Sequence, residues 1–355
     1  MKLGFGLYKH MLTAENYAFA RQCSATHIVA HLTDYFAKSP SLPGQQKDGW
    51  GYTQGDKSPW TKAGLQSLKS DIEAADLQLA AIENFDPAHW YDVLLGGPER
   101  DRQLDDLAQI IRNMGDVGIP VMGYNFSIAG VCGWYEGELA RAGARSVGLR
   151  EEDALSLSPV PNGMIWNMVY DENAPEGHIP PVSSDQIWEN YHYFLDVLLP
   201  VAEKAGVRLA AHPDDPPMPV MRGHARLVYQ PRFYDKSFRE RPSPSNCAEL
   251  CLGTVAEMSE STVYDEVERW CRDDKIGYIH LRNVKGKVPD YREVFIDEGD
   301  IDVQHILRIL KDNSYSGVII PDHTPQMSCN ASWHAGMAYA MGYIRASLKS
   351  LGVAA

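Results

Sequence analysis

The chain has no apolar run approaching the roughly 20 residues that a membrane-spanning helix needs. Its first residues, MKLGFGLYKHML, hold neither a long apolar segment nor a small-residue cleavage site. Cysteine is scarce: six are scattered through 355 residues, as Cys23, Cys132, Cys247, Cys251, Cys271 and Cys329, which does not suggest a disulfide scaffold. Cys247 and Cys251 stand close together without a second such pair, which argues against a zinc ribbon. No GxGxxG follows an early strand, so a dinucleotide-binding doubly wound fold loses its main support. Positive charge is in deficit, with Lys+Arg 33 against Asp+Glu 47 and a net charge of -14. A chain of that sign repels phosphate backbones. The expectation is a cytoplasmic protein with no nucleic acid and no membrane as partner.

What the sequence does have is alternation. Eight short apolar runs read as strands: 3–8 (LGFGLY), 27–32 (HIVAHL), 78–84 (QLAAIEN), 119–126 (IPVMGYNF), 207–213 (VRLAAHP), 248–252 (AELCL), 276–284 (IGYIHLRNV) and 317–323 (GVIIPDH). Between them, helical spacing is read at 13–23, 60–75, 99–114, 184–205, 261–273, 303–312 and 332–351. Strands alternating with helices predict a parallel sheet wrapped by helices, and eight of them predict a closed (β/α)8 barrel. The expectation is a single TIM-barrel domain over 1–355, with long insertions near 39–58, 127–183 and 214–246.

In such a barrel the active site lies at the C-terminal ends of the strands. The candidate strands end on His31, Glu83, Asn125, His212, Cys251, His280 and the pair Asp322–His323. Four of these, His212, Cys251, His280 and Asp322, follow one another at about one strand-and-helix unit each. Two imidazoles, a thiolate and a carboxylate make a first shell for a divalent metal. Taken singly, each has an ordinary alternative, Cys251 as a small buried apolar residue and the histidines as satisfied core residues. Thiolate softness points to Zn or Fe; the imidazoles and the carboxylate also accept Mn.

The strings around these positions are AHPDDPP (211–217), CLGT (251–254), YIHLRNV (278–284) and PDHTPQM (321–327). In that order they resemble the motifs of the mannonate dehydratase family, a branch of the xylose-isomerase-like TIM barrels, and GMAYAMGYIRA (336–346) resembles the family's last helix. The resemblance implies a site made by His212, Cys251, His280 and Asp322. It implies Mn²⁺, with Fe²⁺, Zn²⁺ or Mg²⁺ as other occupants. It also implies loss of water from a six-carbon aldonic acid to a 2-keto-3-deoxy acid. His323 is the candidate base. Arg282, two residues after His280, is a candidate fork for the substrate carboxylate. Asp214 and Asp215 in the proline-stiffened turn, with Glu83, Asn125 and His31, are candidate binders of substrate hydroxyls. Trp134 and Trp166 are candidates to close over a sugar. The expected partner is a small sugar acid or sugar, and the chain is expected to form a homo-oligomer. The chain departs from the family's PDHGHQM-like segment at Thr324 and Pro325, and no tyrosine stands between Asp322 and Tyr339. A metal-dependent sugar isomerase or epimerase on the same barrel is the alternative.

Overall fold

The apolar runs become parallel strands because both of their faces are covered. The computed structural model describes residues 1–37 and 51–353. Its barrel strands are, in chain order, Lys2–Leu7, His27–His31, Gln78–Glu83, Val121–Tyr124, Arg208–Ala211, Asn246–Cys251, Ile276–Leu281 and Val318–Pro321. Each pairs in parallel with the next, and the eighth pairs with the first, closing the barrel.

The first strand shows how pattern becomes layer. Leu3, Phe5 and Leu7 face outward into the large core shared with the helices. Gly4 and Gly6 alternate with them and face the interior, where a Cβ on Gly4 would lie 2.4 Å from Val318 Cγ1. Val29, Val121, Tyr278, Val318 and Ile320 belong to a separate interior cluster. The barrel is therefore filled by side chains, leaving the polar residues of the site above a packed floor.

Helices follow every strand: Ala14–Gln22, Lys62–Glu73, Arg100–Val117, Ser184–Ala205, Pro231–Glu240, Val263–Arg272, Val303–Asp312 and Ser332–Ser350. The fifth of them lies inside 214–246, the stretch read from sequence as an insertion. Its cue is Pro231 at the first helical turn. The insertion expected at 39–58 lies partly outside the described residues. Of its remainder, Gly51–Tyr52 pairs with Met168–Val169.

The run 276–284 is not one strand. It leaves the barrel after Leu281, and Asn283–Lys287 opens a second sheet. There Asn283–Lys287 pairs with Asp290–Val294, which pairs with Ala144–Leu149, which pairs with Trp134–Ala140, all antiparallel. The Asn283 side chain fixes the departure by donating to Ile296 O and Ile301 O at 2.8 and 2.9 Å. Among the described residues no helix is long and apolar enough to cross a membrane.

Candidate active site

Ends of neighbouring strands converge, so residues far apart in sequence meet at one point. Single ligand-type atoms of His212, Cys251 and His280 lie within 4.8 Å of one another. Asp322 completes the group: its Oδ2 accepts from Cys251 Sγ at 3.7 Å and lies 3.9 Å from His280 Nδ1. That Nδ1 is buried and has no hydrogen-bond partner among the described residues. Burial raises the Cys251 thiol, but the charge of Arg282 and the adjacent His212 and His280 imidazoles outweigh it and bring the thiol down to about 6. A thiolate, two imidazoles and a carboxylate around an orphaned buried nitrogen fit a divalent cation, which would replace proton-mediated contacts with ligand bonds.

The CLGT string has a physical reason at each place. Cys251 ends the sixth strand. Gly253 must lack a side chain, because a Cβ there would lie 2.6 Å from Arg282 Cγ. Thr254 Oγ1 contacts Cys251 Sγ at 3.1 Å and receives Arg282 Nη2 at 3.0 Å.

Arg282 departs from its expected role. Its side chain is 1% exposed and surrounded by carboxylates: Asp215 at 2.6 Å, Glu257 at 2.7 Å, Asp322 at 3.2 Å and Glu293 at 3.3 Å. It does not border the pocket. The fork expected to hold a substrate carboxylate is filled by the protein's own acids. Asp214 is also withdrawn: its Oδ2 accepts from the Leu227 and Val228 amides at 2.8 and 2.7 Å, and its Oδ1 pairs with Arg226. It holds the HPDDPP turn and is not on the pocket wall. Asp215 does border the pocket, while accepting from Tyr291 at 3.1 Å as well as from Arg282.

His31, Glu83, Asn125, His212, His280, Asp322 and His323 all border one pocket, together with Trp134 and Trp166. Glu83 reaches past the pocket to His280, its Oε2 lying 3.1 Å from Nε2, and it lies 3.6 Å from His31. Burial raises the Glu83 carboxyl, yet His31 and His280 overcome this and hold it well below the usual range. His323 has a 34% exposed side chain, with Nδ1 2.9 Å from Glu293 and Nε2 3.4 Å from Asp322. Burial lowers it, but Asp322 and Glu293 more than compensate and lift it to about 10.

Three further groups escaped the sequence reading. Tyr8, just past the first strand, borders the inner pocket and its outer extension. Glu293 orients His323 from the second sheet. Glu249 sits inside the barrel two residues before Cys251, on the same face by strand periodicity; that spacing was the signal.

The sequence profile described as D-mannonate dehydratase matches residues 50–169 and 177–352. The chain belongs to the D-mannonate dehydratase family. The family is one of hydro-lyases, and the chain is such an enzyme. The mannonate dehydratase of Lactococcus lactis subsp. cremoris is 31% identical over 288 residues, covering 74% of this chain and 78% of that protein. That of Streptococcus pneumoniae is 29% identical over 276 residues, covering 74% of each. Mannonate dehydratase from Streptococcus suis serotype 2 superposes with a TM-score of 0.75 at 24% identity, over 99% of this chain and 96% of that one. D-psicose 3-epimerase from Clostridium cellulolyticum H10 superposes at 0.58 with 11% identity, over 98% and 99%, which shows a shared fold alone. The family match favours the dehydratase over the isomerase or epimerase alternative.

Proposed function

We propose that the enzyme removes water from D-mannonate to give 2-keto-3-deoxy-D-gluconate, with a divalent cation held by His212, Cys251, His280 and Asp322. The observation that carries this is their convergence beside His323 at the pocket. Manganese is the proposed ion. When bound, the cation supplies positive charge that offsets the negative charge developing on the substrate as its C2 proton leaves. A thiolate ligand needs reducing surroundings, which supports a cytosolic setting.

The chain's own residues do the rest. His323 faces the pocket, with Glu293 holding its Nδ1, so Nε2 takes the C2 proton. In the metal-free protein His323 is held protonated by the acids around it. A cation sharing Asp322 would weaken that hold and favour the neutral imidazole of His323. The leaving C3 hydroxyl needs a proton donor. Tyr8 is placed for this: its side chain borders the pocket. Burial, then the charges of Asp322 and Glu83, push its phenol above the ordinary range, so it keeps its proton at neutral pH. The first strand thus supplies the tyrosine missing after Asp322. Asn125, His31 and Asp215 line the wall for substrate hydroxyls, with Trp134 and Trp166 closing it.

The test is to load the protein with Mn²⁺, offer a panel of aldonic acids and matching aldoses, and assay for 2-keto-3-deoxy products. D-mannonate is expected to turn over best. Turnover of neutral sugars with none of any aldonic acid overturns the proposal in favour of an isomerase.

A further inference from the structure

Glu249 is wholly buried, 0% exposed, and His280 and Tyr278 are polar groups that face its carboxyl. A buried carboxylate is costly unless it is paired, so its neighbours matter. Its Oε1 lies 3.3 Å from His280 Nε2, the nitrogen that Glu83 approaches at 3.1 Å. The other nitrogen of the same ring, Nδ1, is the orphaned one near Asp322. Space for Glu249 comes from Gly123 on the fourth strand. A Cβ there would lie 2.3 Å from Glu249 Oε2 and 2.2 Å from the Tyr278 hydroxyl. Glycine at 123 and glutamate at 249 are therefore matched across the barrel interior.

From this geometry we propose that Glu249 is a positioning residue for the metal centre. Glu83 and Glu249 together clamp Nε2–H of His280, which fixes the ring's rotation and its tautomer and leaves Nδ1 to the cation. One carboxylate suffices to choose a tautomer; a second, from another strand, restrains the ring as well. Such outer partners of metal-bound imidazoles commonly change metal affinity by about 10–100-fold. The inference rests on the metal site proposed above and adds a residue to it. Glu83, Glu249 and His280 also present donor atoms within 4.8 Å of one another. A cation seated there would share one imidazole with the first cation and strip its last proton, which the clamp does not require.

The experiment measures Mn²⁺ affinity by chelator competition and Co²⁺ spectra for the parent, Glu249→Ala, Glu249→Gln and Gly123→Ala. Gly123→Ala displaces the carboxylate without removing any charge, and unfolding of the metal-free proteins checks each fold. Glu249→Ala and Gly123→Ala are expected to weaken Mn²⁺ binding roughly 10–100-fold. They are expected to shift the cobalt d–d bands and to keep the thiolate-to-cobalt band of Cys251. Glu249→Gln, which keeps the shape and an acceptor, is expected to recover most of the affinity. Unchanged affinity and cobalt spectra in Glu249→Ala and Gly123→Ala overturn the proposal. Two Mn²⁺ per parent chain, falling to one in Glu249→Gln, overturn it as well, because Glu249 is then a ligand. A parent that takes up neither ion, or whose thiolate band survives Cys251→Ala, fails the metal site itself and the clamp with it.

Discussion

Arg282→Met separates two physical pictures of this site. If the guanidinium were a free fork for substrate, the variant would fold normally and bind the acid poorly. In the structure it is the cation among four carboxylates, at 2.6 to 3.3 Å. Methionine keeps much of the bulk and leaves Asp215 and Glu257 without their cationic partner, with His323 still facing Glu293 and Asp322. Removing one partner of a buried pair typically costs about 3–5 kcal/mol, a large share of the roughly 5–15 kcal/mol that keeps a domain folded. At about 2.1 cal/mol/K of unfolding entropy per residue, a chain of 355 residues shifts by roughly 1.3 °C per kcal/mol, so this amounts to ~4–7 °C in Tm. A second readout is local. Arg282 is the strongest influence acidifying Cys251, so in the metal-free variant the thiol is expected to titrate well above 6, read by its ultraviolet thiolate absorbance. A variant with parental Tm and an unmoved thiol would refute the reasoning and return Arg282 to the substrate.

His323→Asn is expected to retain Mn²⁺ and lose about 10²–10⁴-fold in kcat; Tyr8→Phe is expected to do likewise, and near-parental turnover in either removes that residue from the chemistry. Metal uptake is expected to depend on pH. In the metal-free protein Cys251 titrates at about 6, while His212 is lifted to about 9, burial being outweighed by Cys251 and Glu249. At pH 7 they stand as thiolate and imidazolium, so each bound ion must expel at least one proton. Affinity should rise from pH 6 to 9 and fall more steeply below 6, where the thiol is protonated too. Calorimetry in buffers of different ionisation enthalpy counts the protons; none released at pH 7 contradicts the assignment.

The barrel was legible because its strands are short apolar runs with polar ends, and helices such as Val303–Asp312 match their sequence periodicity residue for residue. The cluster of His212, Cys251, His280 and Asp322 was legible for the same reason: one polar residue closes each strand. What escaped was non-local. Nothing near Arg282 in sequence announces that Asp215, Glu257 and Glu293 fold around it. The strands Trp134–Ala140 and Ala144–Leu149 carry mixed polarity, and their partner at Asp290–Val294 lies far along the chain. Glu249 was hidden by its strand, whose apolar neighbours read as core.

Trp134 Nε1 donates to the Tyr291 hydroxyl at 3.0 Å, and Tyr291 donates to Asp215 at 3.1 Å. The second sheet is thus tied to the acids gathered around Arg282, and the Trp134 ring meets His323 edge-on, centroids 5.5 Å apart. That wall stands in place before any ligand arrives. Little ordering entropy is then charged against binding. On the proposed function, such a wall is expected to choose among sugar acids by shape, so differences between epimers should show in which molecules enter and not in how far the protein closes around them.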